Sequence, residues 1–497
     1  MSELEPSFEY FRDKFFVNPK SRDPGYLGEA AKHIAESLLG NEGHQYVESG
    51  HPTENIRFLD ELISDMKNSR RFDHLSIAQL HPSDNITAIL ANFASTLMNN
   101  NTIIGEVSPV ETRCERESIE WMAENIAGYD KATSSGSIVS GGTRANETAM
   151  YVARELLVEQ GWKGRNRVTI LANEMAHYSI VKAAKTLAPN NLISLEKIPL
   201  KDNSMVMDTD ALAESVARHK RKRNKIMAIV GLVGETETGL IENLDRIADI
   251  AKSNDIYLHF DGAYGAPFKL SRVGSKLDAL KEADSITCDP HKYMYLPYGA
   301  GVIMFKDSEK HGLIKHLNED GEDYMFKDED DLRRGHDFKT EAHTHLGIMR
   351  IEGSMGGQAA LALHHTIKQL GRQGLGKILD HTLDMTELFN EHISRSNSLR
   401  PLFASDLNTT CLIPNFETDC YPQEFEQLIE DTCGELERVQ QIYVATTSIP
   451  LAKSDGTREK RKVFRVVPTH PHTGPEDIEY IAESLLSKWD QKTSKEV

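Results

Sequence analysis

The sequence has few cysteines and no long apolar runs. Its 497 residues include five cysteines without Cys-x-x-Cys spacing, so neither a disulfide framework nor a zinc or other metal site is predicted. No uninterrupted apolar stretch reaches the length of about 18 residues that a membrane-spanning helix requires. The first residues, Met1–Pro6, carry acids and no apolar core, which is atypical of a secretory signal. We therefore expect a cytoplasmic protein.

The chain also lacks an excess of positive charge. Its formal net charge is -19 at pH 7, and such a chain is repelled by nucleic-acid phosphates and by anionic membrane surfaces. The one basic run, residues 219–225, ends where an apolar stretch begins, so we interpret it as a solvated helix end. We expect neither a nucleic acid nor a membrane as partner.

The hydrophobic pattern divides the chain into three parts. Residues 1–105 have helical periodicity and predict an N-terminal helical segment. Residues 106–375 alternate apolar runs with amphipathic helices, which is typical of a mainly parallel sheet covered on both faces. Residues 376–497 predict a small C-terminal α+β domain, and the charged segment Asn318–Thr344 predicts a long surface loop. The predicted strands of the middle part are Val168–Ala172, Ile226–Val233, Ile256–Phe260, Ser285–Cys288 and Ala300–Phe305.

Two predicted strand ends carry the residues with the clearest chemical meaning. Ser285–Cys288 is followed by the motif Asp-Pro-His-Lys, so Lys292 stands at the sheet edge where open α/β sheets bind ligands. Burial there is expected to lower the pKa of the amine and to make it able to form a Schiff base. Asp261 ends another strand, and a buried carboxylate can keep a pyridine nitrogen protonated. The pair predicts a pyridoxal 5'-phosphate site.

A glycine-rich turn is a possible binding site for the cofactor phosphate. Residues 140–143, Ser-Gly-Gly-Thr, lead into a predicted helix, Asn146–Gln160. A helix N-terminus presents free backbone N–H groups and the positive end of the helix dipole, both of which favour an anion. A helix-capping turn has the same pattern, so this motif gains weight only beside Lys292 and Asp261.

Taken in order, these motifs resemble the group II pyridoxal-phosphate-dependent amino-acid decarboxylases over residues 105–374. The resemblance implies the fold type I, aspartate-aminotransferase-like architecture, an α/β fold with a mainly parallel central sheet and a small C-terminal domain. It also implies a homodimer whose active sites are shared between the two chains. Asp261 would contact the ring nitrogen, Ala263 would pack on the ring, and Lys292 would bind the cofactor as a Schiff base.

The resemblance assigns further cofactor contacts. His177 would stack on the pyridine ring and help to orient the substrate carboxylate, while Gly142, Thr143 and His291 would contact the phosphate. Thr236 is a weaker expectation, because Glu235 beside it replaces a threonine of the family turn.

Three residues outside these motifs complete the expected site. The resemblance implies that a tyrosine on a loop after the lysine is the proton donor, and Tyr324, the only tyrosine of the predicted loop, is nominated for this role, the alternative being a solvated loop residue. Ser354, in the segment Ile351–Gly357, would reach the phosphate bound by the partner subunit, the alternative being a helix cap. Arg465 is a candidate for binding a substrate carboxylate.

The resemblance implies decarboxylation of an L-amino acid to an amine and carbon dioxide. The segments 296–301 and 351–357 look most like bacterial tyrosine decarboxylases, so L-tyrosine or another aromatic amino acid is the predicted substrate, with glutamate and aspartate left open. One alternative is a carbon-carbon lyase similar to sphingosine-phosphate lyase, which shares the lysine motif. The other is a non-catalytic scaffold, against which the joint presence of Lys292, Asp261 and His177 speaks.

Overall fold

The computed structural model describes the chain with gaps. The described residues are 6–18, 27–34, 37–38, 52–66, 69, 73–103, 105, 107–201, 204–317, 346–415, 424–453 and 457–494. The predicted loop with Tyr324 lies outside these ranges, and so do parts of the predicted N-terminal helical segment.

A seven-stranded sheet forms the middle of the chain. Its strands are β1 (Ser135–Val139), β2 (Val168–Asn173), β3 (Ile193–Ile198), β4 (Lys225–Leu232), β5 (Tyr257–Asp261), β6 (Ser285–Cys288) and β7 (Gly301–Phe305). Their order is β1-β7-β6-β5-β4-β2-β3, and within this sheet only β7 runs antiparallel to its neighbours. The carboxyl ends of β4, β5 and β6 therefore meet at one edge. The predicted mainly parallel sheet is confirmed.

Helices lie along the chain before, between and after these strands. The main helices are α1 (Phe8–Phe15), α2 (Pro52–Met66), α3 (Ile86–Met98), α4 (Pro109–Met122), α5 (Gly142–Glu159), α6 (Tyr178–Leu187), α7 (Thr209–Arg221), α8 (Leu244–Ser253), α9 (Gln358–Ser394), α10 (Glu424–Gln440) and α11 (Pro475–Thr493). Short helical segments occupy Ala123–Ala127, Pro189–Asn191, Ala266–Leu270, Gly274–Glu282, Pro290–Tyr293, Ser308–Gly312, Leu313–Leu317 and Leu346–Met349. No described helix has the length and apolarity needed to cross a bilayer.

The apolar runs of the sequence are explained by burial on both faces of the sheet. Every residue of β2, β5, β6 and β7 is buried, as expected for strands covered by helices on both sides. The predicted strands and helices of this region are confirmed, with bounds that differ by at most a few residues. β1 and β3 were not predicted.

A second sheet follows the long helix α9. Its strands are β8 (Leu399–Pro401), β9 (Thr410–Pro414), β10 (Ala445–Ala452) and β11 (Arg458–Val466). They are antiparallel in the order β10-β11-β9-β8, and β9 and β11 share an apolar cluster with α10 and α11. α9 is kinked at Gly371, whose φ of 56° is left-handed, so it consists of two helical parts. The predicted boundary at residue 375 falls inside α9, and the three-part division remains a prediction.

Candidate active site

A cavity of ≈ 330 Å³ opens where β4, β5 and β6 end. Its volume lies within the range of sites that bind small molecules. Most of the predicted site residues line it together, although they come from distant parts of the chain. These residues are Gly142, Thr143, His177, Thr236, Asp261, Ala263, His291 and Lys292.

Asp261 is held in a fixed position at the end of β5, where it is 8% exposed. Its Oδ2 accepts a hydrogen bond from Nδ2 of Asn146 at 2.8 Å, and its Oδ1 accepts one from the backbone N–H of Ala263 at 3.3 Å. The Asn146 amide is itself oriented, because its Oδ1 contacts Nε2 of His259 at 3.0 Å and Oγ1 of Thr287 at 2.6 Å. With that oxygen occupied, Asn146 presents its N–H groups to Asp261 and to the hydroxyl of Ser179.

The hydrogen-bond network behind Asp261 is electrically neutral. Burial lowers the pKa of His259 to about 4, so its ring is uncharged at neutral pH. Its Nδ1 lies 2.8 Å from Oγ of Ser285, which accepts a hydrogen bond from the hydroxyl of Tyr257 at 2.8 Å. A proton on Nε2 of His259 satisfies all of these contacts. The network therefore positions Asp261 without neutralising its charge, which remains available to a cation in the cavity.

His177 presents a neutral ring to the same cavity. It precedes α6, and its Nδ1 accepts a hydrogen bond from the backbone N–H of Ser179 at 3.4 Å and lies 2.8 Å from the Ser179 hydroxyl. Because Nδ1 is the acceptor, the ring proton is on Nε2. Burial lowers the pKa of His177, so the ring is uncharged at neutral pH. A flat, neutral ring of this kind can stack on an aromatic ligand.

Lys292 lies in the short helix after β6 and is paired with Asp289. Its Nζ is 3.1 Å from Oδ2 of Asp289. Burial disfavours the ammonium, but the negative charges of Asp289 and Asp261 outweigh burial and raise the pKa of Lys292. The expectation that burial would lower this pKa is wrong for this arrangement, because it left the charge of Asp289 out of account.

The glycine-rich turn packs closely against Asp289. Gly141 precedes α5 with a φ of 154°, a conformation that side chains rarely adopt. A Cβ on Gly142 would lie 2.7 Å from Oδ2 of Asp289, so the close approach requires glycine. The first N–H groups of a helix have no acceptor within the helix, and Gly142 and Thr143 line the cavity. This end of the cavity is suited to bind an anion.

Glu235 stabilises the turn that follows β4. Its Oε2 accepts hydrogen bonds from the backbone N–H groups of Glu237 at 3.0 Å and Thr238 at 2.9 Å, and from the Thr238 hydroxyl at 2.8 Å. Glu235, which stands where the family turn has a threonine, therefore has a structural role: its side chain accepts the hydrogen bonds that close the turn. Thr236 still lines the cavity. Burial raises the pKa of Glu235 to about 7.

Glu235→Gln should change how stability depends on pH. The pKa of Glu235 is about 7 in the folded chain and has an ordinary value of 4.5, so between these values the folded chain holds a proton that the unfolded chain releases. The free energy of unfolding therefore falls as pH rises through this window, by roughly 3 kcal/mol at most. Glutamine keeps an oxygen acceptor for the same donors but does not titrate.

Urea unfolding at pH 5 and pH 8 measures the effect. We expect the variant to lose less stability than the parent chain between the two pH values. Glu242, whose pKa burial also raises to about 7, titrates in both chains, so the difference between the chains reports Glu235 together with its smaller effect on the pKa of Glu242. Equal losses would contradict the prediction.

Arg465 lies behind the cavity, outside its described lining. Its Nη1 is 3.3 Å from Oε2 of Glu237, and its Nε is buried without a hydrogen-bond partner among the described residues. The predicted carboxylate-binding arginine is thus already paired with a carboxylate of its own chain.

Ser354 is exposed and does not line the cavity. The helix after it begins at Gln358 with Gly357 as N-cap, so the alternative interpretation of Ser354 as a helix cap is wrong. Its segment nevertheless lies beside the glycine-rich turn of its own chain, because Oε1 of Glu352 accepts hydrogen bonds from the backbone and the hydroxyl of Ser140 at 3.1 and 3.0 Å. A contact of Ser354 with the partner subunit's cofactor stays a prediction.

The rim of the cavity carries aromatic rings that the sequence pattern did not assign to the site. Nδ1 of His81 lies 3.0 Å from the backbone oxygen of His291. The ring of Tyr298, which is 77% exposed, lies 4.5 Å from the His291 ring and 5.3 Å from the His81 ring. No local pattern connects His81 to the lysine motif, because the contact exists only in the folded chain.

The groups around the cavity match the parts of pyridoxal phosphate one by one. Lys292 offers an amine for the aldehyde, Asp261 an anion for the ring nitrogen, His177 a flat ring for stacking, and the start of α5 a seat for the phosphate. Gly142 approaches Asp289 too closely for any side chain, so the start of α5 presents only its backbone there. Fold and site together define a fold type I pyridoxal-phosphate enzyme.

The chain belongs to the pyridoxal-dependent decarboxylase family, whose conserved-domain model matches residues 66–411. An aspartate 1-decarboxylase of Aliivibrio fischeri is 28% identical over 444 residues, covering 83% of this chain and 71% of that protein. A probable L-tyrosine/L-aspartate decarboxylase of Methanopyrus kandleri is 37% identical over 210 residues, covering 40% of this chain and 50% of that protein.

Solved structures share the architecture. Catharanthus roseus tryptophan decarboxylase in complex with L-tryptophan aligns with a TM-score of 0.73 at 16% identity, covering 97% of this chain and 95% of that chain. The predicted family, fold class and cofactor are confirmed: the chain is a pyridoxal-phosphate-dependent amino-acid decarboxylase. Family membership favours decarboxylation over the carbon-carbon lyase and scaffold alternatives.

Proposed function

We propose that this enzyme decarboxylates L-tyrosine or another aromatic L-amino acid, with Lys292, Asp261 and His177 as its central residues. The observation that carries the proposal is that these three side chains line one cavity at the carboxyl edge of the sheet. An amine-forming assay with a panel of L-amino acids tests it directly.

Each residue has a role that follows from its contacts. When bound, pyridoxal phosphate supplies an electron-accepting ring that takes up the electron pair left by departing carbon dioxide. Lys292 would hold the cofactor covalently through Nζ and release it to the substrate amine. The anionic carboxylate of Asp261, fixed by Asn146, would keep a proton on the ring nitrogen. His177 would stack on the ring and donate from Nε2 to the substrate carboxylate.

The remaining cofactor contacts are proposed from the same cavity. Gly142, Thr143 and His291 would hold the phosphate, with Ala263 and Thr236 beside the ring. Nδ1 of His291 donates to the backbone oxygen of Ala300 at 2.6 Å, so Nε2 would donate to the phosphate once the negative charge of the bound phosphate holds a second proton on the ring. The sequence-based nomination of Tyr324 as proton donor rests on residues outside the described ranges.

The charges around the cavity favour an aromatic side chain on the substrate. Arg144 lines the cavity but lies 2.5 Å from Glu147 and 3.6 Å from Glu352. Arg465, behind the cavity, is paired with Glu237. Within the described part of the chain, both nearby arginines thus have carboxylate partners, whereas a second substrate carboxylate would need an uncommitted cation.

L-aspartate is the second candidate, because the relative that covers 83% of this chain is an aspartate 1-decarboxylase. We expect kcat/KM for L-tyrosine to exceed that for L-aspartate by at least about tenfold, a difference of about 1.4 kcal/mol in transition-state binding. Chromatographic detection of tyramine and β-alanine under matched conditions decides between them. A preference for L-aspartate would show that a cation of the undescribed residues or of a partner chain completes the site.

We also propose that the active enzyme is a homodimer. One face of α2 exposes Leu59, Leu62, Ile63 and Met66 by 44% to 60%. These residues are spaced as one stripe of a helix, and an exposed apolar stripe is typical of a protein interface. A partner chain covering this stripe would remove it from water.

Leu62→Glu should weaken the dimer by placing a charge in this stripe. Because symmetry introduces the change twice, we expect the dissociation constant of the dimer to rise at least about tenfold. Ser64→Glu adds the same charge outside the stripe and serves as the control. Sedimentation velocity over a dilution series measures both, and equal dimer stability of the two variants would contradict an interface at α2.

A cytoplasmic location is proposed on the basis of the cysteines. Cys114, Cys288 and Cys411 are buried free thiols, as is usual in a reducing compartment.

A further inference from the structure

Asp289 is the buried carboxylate closest to the reactive amine. Its Oδ2 lies 3.1 Å from Nζ of Lys292, and its side chain is 4% exposed. The backbone also fixes it, since its N–H donates to the oxygen of Ala263 at 3.1 Å and its oxygen accepts from the N–H of Lys292 at 2.9 Å. Oδ1 is buried without a hydrogen-bond partner among the described residues.

Asp261 and Asp289, two of the acids that line the cavity, are bonded in different ways. Both oxygens of Asp261 accept hydrogen bonds, from Asn146 and Ala263, so Asp261 is suited to remain a fixed anion. Within the described part of the chain, Oδ2 of Asp289 faces the ammonium of Lys292 and, at 3.8 Å, Nε2 of His291, whereas Oδ1 has no hydrogen-bond partner. A carboxylate is suited to accept a proton from an amine and to return it when it contacts that amine and makes no other hydrogen bond.

We propose that Asp289 is the proton acceptor of Lys292 in the attachment of the cofactor. This rests on the proposed role of Lys292. As Nζ adds to the aldehyde carbon, one ammonium proton passes to Asp289, the carbon-oxygen double bond opens, and a second proton moves from the nitrogen to that oxygen to give a hydroxyl. Asp289 then returns this proton to the hydroxyl, the carbon-oxygen bond breaks and water leaves, and a protonated carbon-nitrogen double bond forms. Charge is conserved, because the ammonium and the product each carry one positive charge.

Several other charged groups surround this pair. Asp261 and Tyr298 raise the pKa of Lys292, as Asp289 does. The positive charge of Lys292 acts on His177, His291 and His81, and burial lowers the pKa of each of them, so they are neutral at neutral pH. Asp289 is therefore the only group in the described cavity that pairs directly with Lys292 and can take its proton.

The test follows attachment of pyridoxal phosphate to the full chain prepared without cofactor, by borohydride reduction and mass measurement of the peptide containing Lys292. Asp289→Asn should slow attachment by roughly 10²-fold at pH 7. Without an internal acceptor, solvent must remove the proton, so the ratio of parent to variant rate should fall about tenfold for each unit of rising pH. Taking the ratio cancels the titrations of the cofactor itself.

Control variants show whether the effect is specific to Asp289. Asp278→Asn removes the carboxylate of a surface pair with Lys269 and should leave the attachment rate unchanged. If Asp289→Asn attaches the cofactor at the parent rate, faster, or slower by the same factor at every pH, Asp289 is not the proton acceptor. If thermal unfolding shows that Asp289→Asn does not fold, Asp289→Ser is used with the same criteria. Attachment that persists at the same rate in Lys292→Ala would instead overturn the proposed function.

Discussion

Lys292→Ala is expected to abolish covalent attachment of pyridoxal phosphate and to lower kcat/KM by at least about 10³-fold, which is about 4 kcal/mol of transition-state stabilisation. Alanine removes the only lysine that lines the described cavity, and with it the amine that would hold the cofactor and exchange with the substrate. Borohydride trapping and the rate of carbon dioxide release measure the two effects.

Two further variants show which property of Lys292 is required. Lys292→Arg keeps a positive charge beside Asp289 but offers no exchangeable amine, so it should be as inactive as the alanine variant. Lys252→Ala removes a lysine that is exposed on the surface and should retain full activity. Activity of the arginine variant near the parent level would mean that Lys292 contributes charge alone.

Asp261→Asn is expected to lower kcat by roughly 10²- to 10³-fold while the cofactor stays attached. Asparagine keeps the shape and can still accept the hydrogen bond from Asn146, but it has no negative charge to hold a proton on the ring nitrogen. The ring then accepts electrons poorly, and the step that releases carbon dioxide slows. Single-turnover carbon dioxide release measures this step separately from binding.

The matched control is Asp245→Asn, an exposed aspartate in the first turn of α8. It should keep the parent kcat, because the substitution removes only about a few tenths of a kcal/mol of helix stabilisation. A kcat of Asp261→Asn within about threefold of the parent value would show that Asp261 does not face the ring nitrogen.

The sequence predicted those strands whose residues are all buried. β2, β5, β6 and β7 are continuous apolar runs, because both of their faces are covered. It did not predict the two edge strands: β1 contains a glycine and two serines, and β3 carries half-buried Glu196 and exposed Lys197. Such strands are specified by their neighbours in the sheet more than by their own composition.

The site was predicted where motif and local structure coincide. Lys292, Asp261 and Gly142 stand at strand or helix ends, and parallel strands bring such ends to one edge. Asp289 and Asn146 belong to the same motifs but were not recognised, because their importance depends on what they contact. His81 contacts His291 across 210 positions of sequence, and no local pattern encodes such a contact.

By itself, the sequence determined the fold class and the cofactor and predicted Lys292 as the attachment residue, because periodicity and motif order depend on the local chain. Tertiary structure alone decided the charge state of the cavity. It placed Asp289 against Lys292, and so reversed the expected direction of the lysine pKa, and it paired Arg465 with Glu237. Coulomb interactions depend on distance in space, and burial strengthens them by excluding water. The distances between charges and the burial of those charges are set only when separate segments of the chain pack together.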